Sequence, residues 1–105
     1  MRDKKREVTA EIIHRLAAKF ILEEGGQSSL LTVTRVEISP TGKEAKIFFT
    51  TLPEEQEDTA LKFLERKKPE FHRYIRDESR IGIIPHVDWK IDYGERNRQR
   101  LDKLS

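Results

Sequence analysis

The sequence contains no cysteine. Disulfides and thiolate metal sites are therefore excluded, and nothing in the chain points to an oxidising compartment. It has no apolar run long enough to span a bilayer. The first residues, Met1–Glu11, are basic but lead into no apolar stretch, so they do not read as a secretory signal, and a cytoplasmic location is expected. Apolar residues are scarce at 35% and charged residues abundant at 38%, so the core must be compact and the surface largely ionic. An excess of one charge sign is also lacking: 21 basic residues stand against 19 acidic ones, for a formal net charge of +2. Net charge alone therefore says little about a nucleic-acid partner, and the placement of the charges has to decide.

Catalytic signatures are missing as well. There is no GxGxxG, GxxxxGK[ST] or GxSxG pattern. The histidines, His14, His72 and His86, fall on different elements and form no ligand pair, whereas a closed metal site needs three or four convergent ligands. No metal, cofactor or small-molecule substrate is expected, and the chain does not read as an enzyme. Internal repeats and low-complexity segments are absent too.

What is present fits one domain over residues 1–105. A chain of this size buries roughly 60–70% of its unfolded surface, enough for one core. Residues 4–24 read as an amphipathic helix with Val8, Ile12, Ile13, Leu16, Phe20 and Ile21 on one stripe. Gly25 and Gly26 suit a left-handed helix cap, and Gln27–Ser29 continue as a loop. Leu30–Ser39 reads as a strand whose alternation changes parity, which a bulge near Thr34 would explain. Ser39-Pro40-Thr41-Gly42 is a turn, and Lys43–Thr51 a second, antiparallel strand.

Pro53 and the acidic run Glu54–Asp58 read as the start of a second helix, where carboxylates favour the positive end of the dipole. Pro69 must kink or break it, so a third helix follows with Phe71, Tyr74 and Ile75 inward. Gly82–Tyr93 reads as the last strand, with Val87, Trp89 and Ile91 on the core side and Gly94 as its end. Residues 94–105 read as a short helix or as a tail ordered only on binding. The order α-β-β-α-α-β makes an α+β domain, a three-stranded mixed sheet with helices packed on one face and the other face open.

Cations gather at the N-terminus, at the C-terminus (Arg96, Arg98, Arg100, Lys103) and around the kink. Lys62 and Arg66 lie four apart and share a helix face, Arg73 and Arg76 lie three apart, Lys67 and Lys68 mark the joint, and Arg80 follows. Such an array suits a phosphate backbone, bound without sequence readout. It equally suits a solvated face with local ion pairs to Glu65, Glu70, Asp77 and Glu78. Phe48, facing away from Ile47 and Phe49, could stack a base or pair across strands.

The stretch Leu31–Pro40 followed by Ala45-Lys46-Ile47-Phe48-Phe49 resembles the signature hairpin of the ribosome-binding factor A family. The amphipathic first helix and the segment Arg80–Trp89 are similar to the same family, so that the resemblance covers residues 5 to 104. It implies a type II KH-like fold and a monomeric, non-catalytic factor. Such a factor binds the immature 30S ribosomal subunit and its 16S rRNA, supports 5′-end processing, leaves the mature subunit and matters most in the cold. The charge placement makes Lys62, Arg66, Lys67, Lys68, Arg73, Arg76 and Arg80 around the kink the expected RNA contacts of such a factor. The family has an Ala-x-Gly kink where this chain has Lys67-Lys68-Pro69. Glycine allows close backbone approach, so contact here falls to side-chain charge instead. A general KH-type single-stranded RNA binder, or a protein-interaction domain using a sheet edge or basic tails, are the other readings.

Overall fold

The computed structural model describes residues 2–24 and 30–104. The expected Gly25–Gly26 cap and the loop Gln27–Ser29 lie outside the described residues. Helix α1, Asp3–Glu24, buries Ile13, Leu16, Ala17, Phe20 and Ile21. Val8, expected on that stripe, is 47% exposed, and Thr9 is buried instead. Thr9 lies one turn ahead of Ile13, in phase with the buried stripe, and Val8 lies at its margin.

Strands β1, Leu30–Ile38, and β2, Glu44–Leu52, form the antiparallel hairpin. Its register slips between Val33 and Arg35, which leaves Thr34 as the extra residue of the expected bulge. The slip returns Val36 and Ile38 to the face that Leu31 and Val33 occupy before it. At the turn, the Gly42 amide donates to the Ser39 carbonyl at 2.9 Å. Gly42 has φ 78°, a left-handed conformation that a side chain would disfavour.

Pro53 does not open the second helix as expected. It precedes a single 3-10 turn, Glu54–Gln56, and helix α2 runs Glu57–Arg66. The break between helices falls at Lys67, whose amide bonds the Phe63 and Leu64 carbonyls at 3.1 and 3.2 Å. Helix α3, Lys68–Glu78, then takes Pro69 in its first turn, where a missing N–H costs nothing.

Strand β3 is His86–Ile91, shorter than the expected Gly82–Tyr93. It pairs parallel to β2, from Glu44 opposite His86 to Phe49 opposite Ile91, as a helical crossover requires. Gly94 does not terminate the strand, because Tyr93 and Gly94 already belong to helix α4, Tyr93–Leu104. Asp92 starts that helix. Its Oδ1 accepts the Glu95 amide at 3.1 Å, and its carbonyl accepts the Arg96 amide at 3.0 Å. Aspartate followed three residues later by glutamate is the capping pattern that decides for a helix over a tail.

The sheet order is β1-β2-β3, with both outer strands as edges. The observed architecture is the mixed α+β sheet expected from the sequence. Helices α1 to α3 cover one face, α1 lying on β1 and α2 beside β3. Between them sit Phe49, Phe71 and Trp89, with ring centroids 6.4 Å apart for Phe49–Trp89 and 5.5 Å for Phe71–Trp89. Trp89 is 3% exposed, so it is core. The other face is open along the row Arg35, Phe48 and Lys90. Helix α4 lies over its far end, near Thr32 and the buried Thr50, while burying no residue of its own.

Candidate nucleic-acid interface

The cations around the joint divide into two groups. Lys62 and Arg66 are exposed on the side of α2 opposite the buried Ala60 and Leu64. Arg73 is exposed on α3 opposite Phe71 and Ile75, and Arg80 is exposed just beyond that helix. None of these four makes an ion pair with the described residues. Their charges face solvent unneutralised.

Lys67, Lys68 and Arg76 are engaged. Lys67 Nζ lies 3.8 Å from Glu24 at the end of α1 and 6.0 Å from the Phe63 ring centroid. Lys68 Nζ lies 2.8 Å from Glu65 and 3.6 Å from Asp88 on β3, which ties both helices to the sheet. The hydrogen bond to Glu65 holds the Lys68 ammonium above the usual lysine range, against the opposing effect of partial burial. Arg76 Nε bonds its neighbour Asp77 at 3.1 Å. The local ion-pair reading therefore describes these three residues, and the open-cation reading describes the other four.

Next to the joint, Lys68, Pro69, His72, Pro85, His86 and Val87 line a shallow groove of about 210 Å³ between the starts of α3 and β3. His86 Nε2 lies 3.7 Å from Asp88 Oδ1. Lys90 is exposed two residues further along the same strand edge. His72, His86 and Lys90 are not among the candidates from sequence. Their signals are nonetheless present there: His72 stands one helical turn after Lys68, and His86 and Lys90 share a strand parity.

The other cation clusters are partly neutralised: Arg6, Arg96, Arg98 and Arg100 are engaged, whereas Arg2, Lys4, Lys5 and Lys103 make no ion pair with the described residues. The acidic run Glu54–Asp58 is distant in sequence from the C-terminal arginines, yet α4 brings the two together. Arg96 Nη1 bonds Glu57 at 2.9 Å and its Nε lies 3.4 Å from Glu54. Arg100 also bonds Glu54, and its hydrogen bond holds the Glu54 carboxyl below the usual range. Arg98 pairs with Glu95 and with Asp102, the latter at 2.9 Å. At the N-terminus, Arg6 donates to the Ile38 carbonyl at 3.3 and 2.9 Å and pairs with Asp3 at 3.2 Å.

Phe48 is paired across strands. The Arg35 guanidinium lies 3.7 Å from its ring centroid, in the register position directly opposite. Arg35 Nε lies 3.4 Å from Asp92, and Thr34 Oγ1 donates to Asp92 at 2.6 Å. Burial disfavours the Asp92 charge, but these partners and the Glu95 amide outweigh it and hold the carboxyl below its ordinary value. Among the described residues no cluster of three or more His, Cys, Asp or Glu could hold a metal ion, and no helix is long and apolar enough to cross a membrane.

The model of one family, described as ribosome-binding factor A, matches residues 4–105. A ribosome-binding factor A from Aromatoleum aromaticum is 32% identical over 102 residues, covering 90% of this chain and 80% of its own. Another from Coprothermobacter proteolyticus is 26% identical over 106 residues, covering 99% of this chain and 77% of its own. Among solved structures, the crystal structure of ribosome-binding factor A from Thermus thermophilus superposes with a TM-score of 0.74 at 21% identity. It covers 82% of this chain and 93% of that one, and it shows the same fold.

Proposed function

The chain belongs to the ribosome-binding factor A family, and from that premise we propose that it is a cytoplasmic, non-catalytic assembly factor for the small ribosomal subunit. It binds the immature 30S particle through 16S rRNA, supports 5′-end processing, and leaves once the subunit is mature. Its contribution is greatest in the cold, where misfolded RNA helices are slowest to rearrange. The single observation that carries this reading is the family match across nearly the whole chain.

The RNA surface is the outer side of the α2–α3 joint. Lys62, Arg66, Arg73 and Arg80 reach phosphates, because their charges have no partner to give up. Lys67 and Lys68 flank them and set the geometry of the joint through Glu24, Glu65 and Asp88, while Arg76 is paired with its neighbour Asp77 on α3. Lys67-Lys68-Pro69 presents no glycine to the RNA, so the contact is made by side chains rather than by a backbone clamp. Charge contacts of this kind give affinity that falls steeply with salt and carries no base code.

Sedimentation of a cell extract through a sucrose gradient tests the assignment. The chain should travel with free 30S subunits and not with 70S ribosomes. Recovery at the top of the gradient would overturn it. Equal affinity for 30S particles and for arbitrary single-stranded RNA would favour a general KH-type binder instead.

A further inference from the structure

The opposite edge of the sheet has a different chemistry. Beside β1 runs a groove of about 650 Å³, lined on α1 by Asp3, Arg6, Glu7 and Ala10 and on the hairpin by Val36–Pro40, Glu44 and Lys46. Its floor is a strand edge. The Ser39 amide donates to the Glu44 carbonyl at 2.9 Å, so Ser39 and, by alternation, Glu37 turn their backbone groups towards β2. Val36 and Ile38 then turn theirs outward, into the groove. The Arg6 guanidinium confirms the direction for Ile38, whose carbonyl it takes at 2.9 Å. That bond closes one end of the edge, and the bulge at Thr34 closes the other. Between them the Val36 N–H, the Val36 C=O and the Ile38 N–H face outward.

We propose that this edge is a docking groove for a lysine- or arginine-rich polypeptide segment, which adds to β1 as an extended strand. Strand addition to an exposed edge takes affinity from backbone hydrogen bonds and specificity from alternate side chains. The charge of the walls names the occupant. Asp3, Glu7, Glu37 and Glu44 supply four carboxylates against the two cations Arg6 and Lys46. Arg6 is engaged by Ile38 and Asp3, and Glu37 by Arg35. Glu7 and Glu44, and the cation Lys46 beside them, are exposed and make no ion pair with the described residues, so the open charges of the groove sum to one negative charge. A nucleic-acid backbone is disfavoured here, whereas a cationic strand would meet Glu7 on the α1 wall and Glu44 at the start of β2. The groove is independent of the RNA surface, since it lies across the sheet from the α2–α3 joint.

The test is a heteronuclear NMR titration of the intact chain with synthetic peptides of about seven residues, a usual strand length. One peptide alternates lysine with threonine. A second replaces every lysine with glutamate, and a third carries proline at the central threonine. The lysine peptide should saturate the chain while moving the Val36 and Ile38 amide signals. Both counterparts should bind at least about tenfold more weakly, one by charge and one by loss of a ladder donor. The exposed double variant Glu7→Lys, Glu44→Lys should lose the lysine peptide by a similar factor with an unchanged circular dichroism spectrum. Equal binding of the proline peptide would mean simple charge attraction and would overturn strand addition. Movement of the same amides with protein concentration alone would identify a second copy of this chain as the occupant and would also overturn the proposal. If the double variant misfolds, the three-peptide comparison on the unaltered chain decides alone.

Discussion

The two edges of one three-stranded sheet present opposite chemistry. The β3 edge is flanked by Lys68, His72, His86 and Lys90, with Asp88 as the one carboxylate among them, and its helices carry the open cations Lys62, Arg66, Arg73 and Arg80. The β1 edge is flanked by Asp3, Glu7, Glu37 and Glu44, with Arg6 and Lys46 as the cations among them. A net charge of +2 conceals this division. The two edges lie only two strand spacings apart, roughly 10 Å. At about physiological salt that is close to the Debye length of ~8 Å, so each edge acts largely on its own neighbours. Formal charge is therefore a poor guide to partners in this chain, and pairing is the better one: what matters on each side is which charges have already been neutralised within the fold.

The largest expected effect comes from separating the edges' common support. Trp89 joins Phe49 on β2 to Phe71 on α3, so Trp89→Ala should cost about 3–5 kcal/mol in denaturant unfolding. A variant as stable as the parent would mean that the basic helices are held some other way.

The next effect concerns the basic side alone. Replacing Lys62, Arg66, Arg73 and Arg80 together with alanine should weaken 30S association by more than about tenfold. It should also flatten the salt dependence by ~0.9 for each phosphate that is no longer neutralised. Stability should stay within about 0.5 kcal/mol for each exposed substitution. Lys68→Ala should do the reverse, lowering stability while leaving the salt slope nearly unchanged, because Lys68 is engaged by Glu65 and Asp88. Equal losses of binding from both variants would erase the distinction between open and engaged cations.

A smaller effect is expected at Asp92, which fastens α4 over the second face. Asp92→Ala should cost about 1 kcal/mol at neutral pH, the typical loss of a helix N-cap. Because the folded carboxyl titrates below its ordinary value, its contribution is present above about pH 4 and is lost as pH falls through the depressed folded value. The gap between parent and variant should therefore close in acid, as thermal unfolding across that range would show. The smallest effect is at Arg98, whose pairs with Glu95 and Asp102 are exposed on α4. Arg98→Ala should leave the melting temperature unchanged within error.

Much of this is legible along the chain. The parity change between Val33 and Val36 announces the bulge, and Pro69 announces the break between α2 and α3. The alternation Val87, Trp89, Ile91 announces a core strand, although alternation alone overstates its extent at both ends. The Asp92–Glu95 cap is also present as a local pattern, and it outweighs the glycine signal at Gly94. Local signals of this kind act through backbone geometry within a few residues, so a sequence carries them openly.

The sequence by itself thus determined the order of elements as far as β3, the bulge of the hairpin and most of the buried faces, because periodicity and turn chemistry need no distant partner. Only the tertiary structure decided which charges are free. Lys67 meets Glu24, Lys68 meets Asp88, and Arg96 meets Glu57, all across separate elements. Side-chain reach is a few ångströms, so neutralisation depends on how elements dock, and no spacing along the chain encodes it. The open cations of the joint and the carboxylates of the β1 groove are what that docking leaves over.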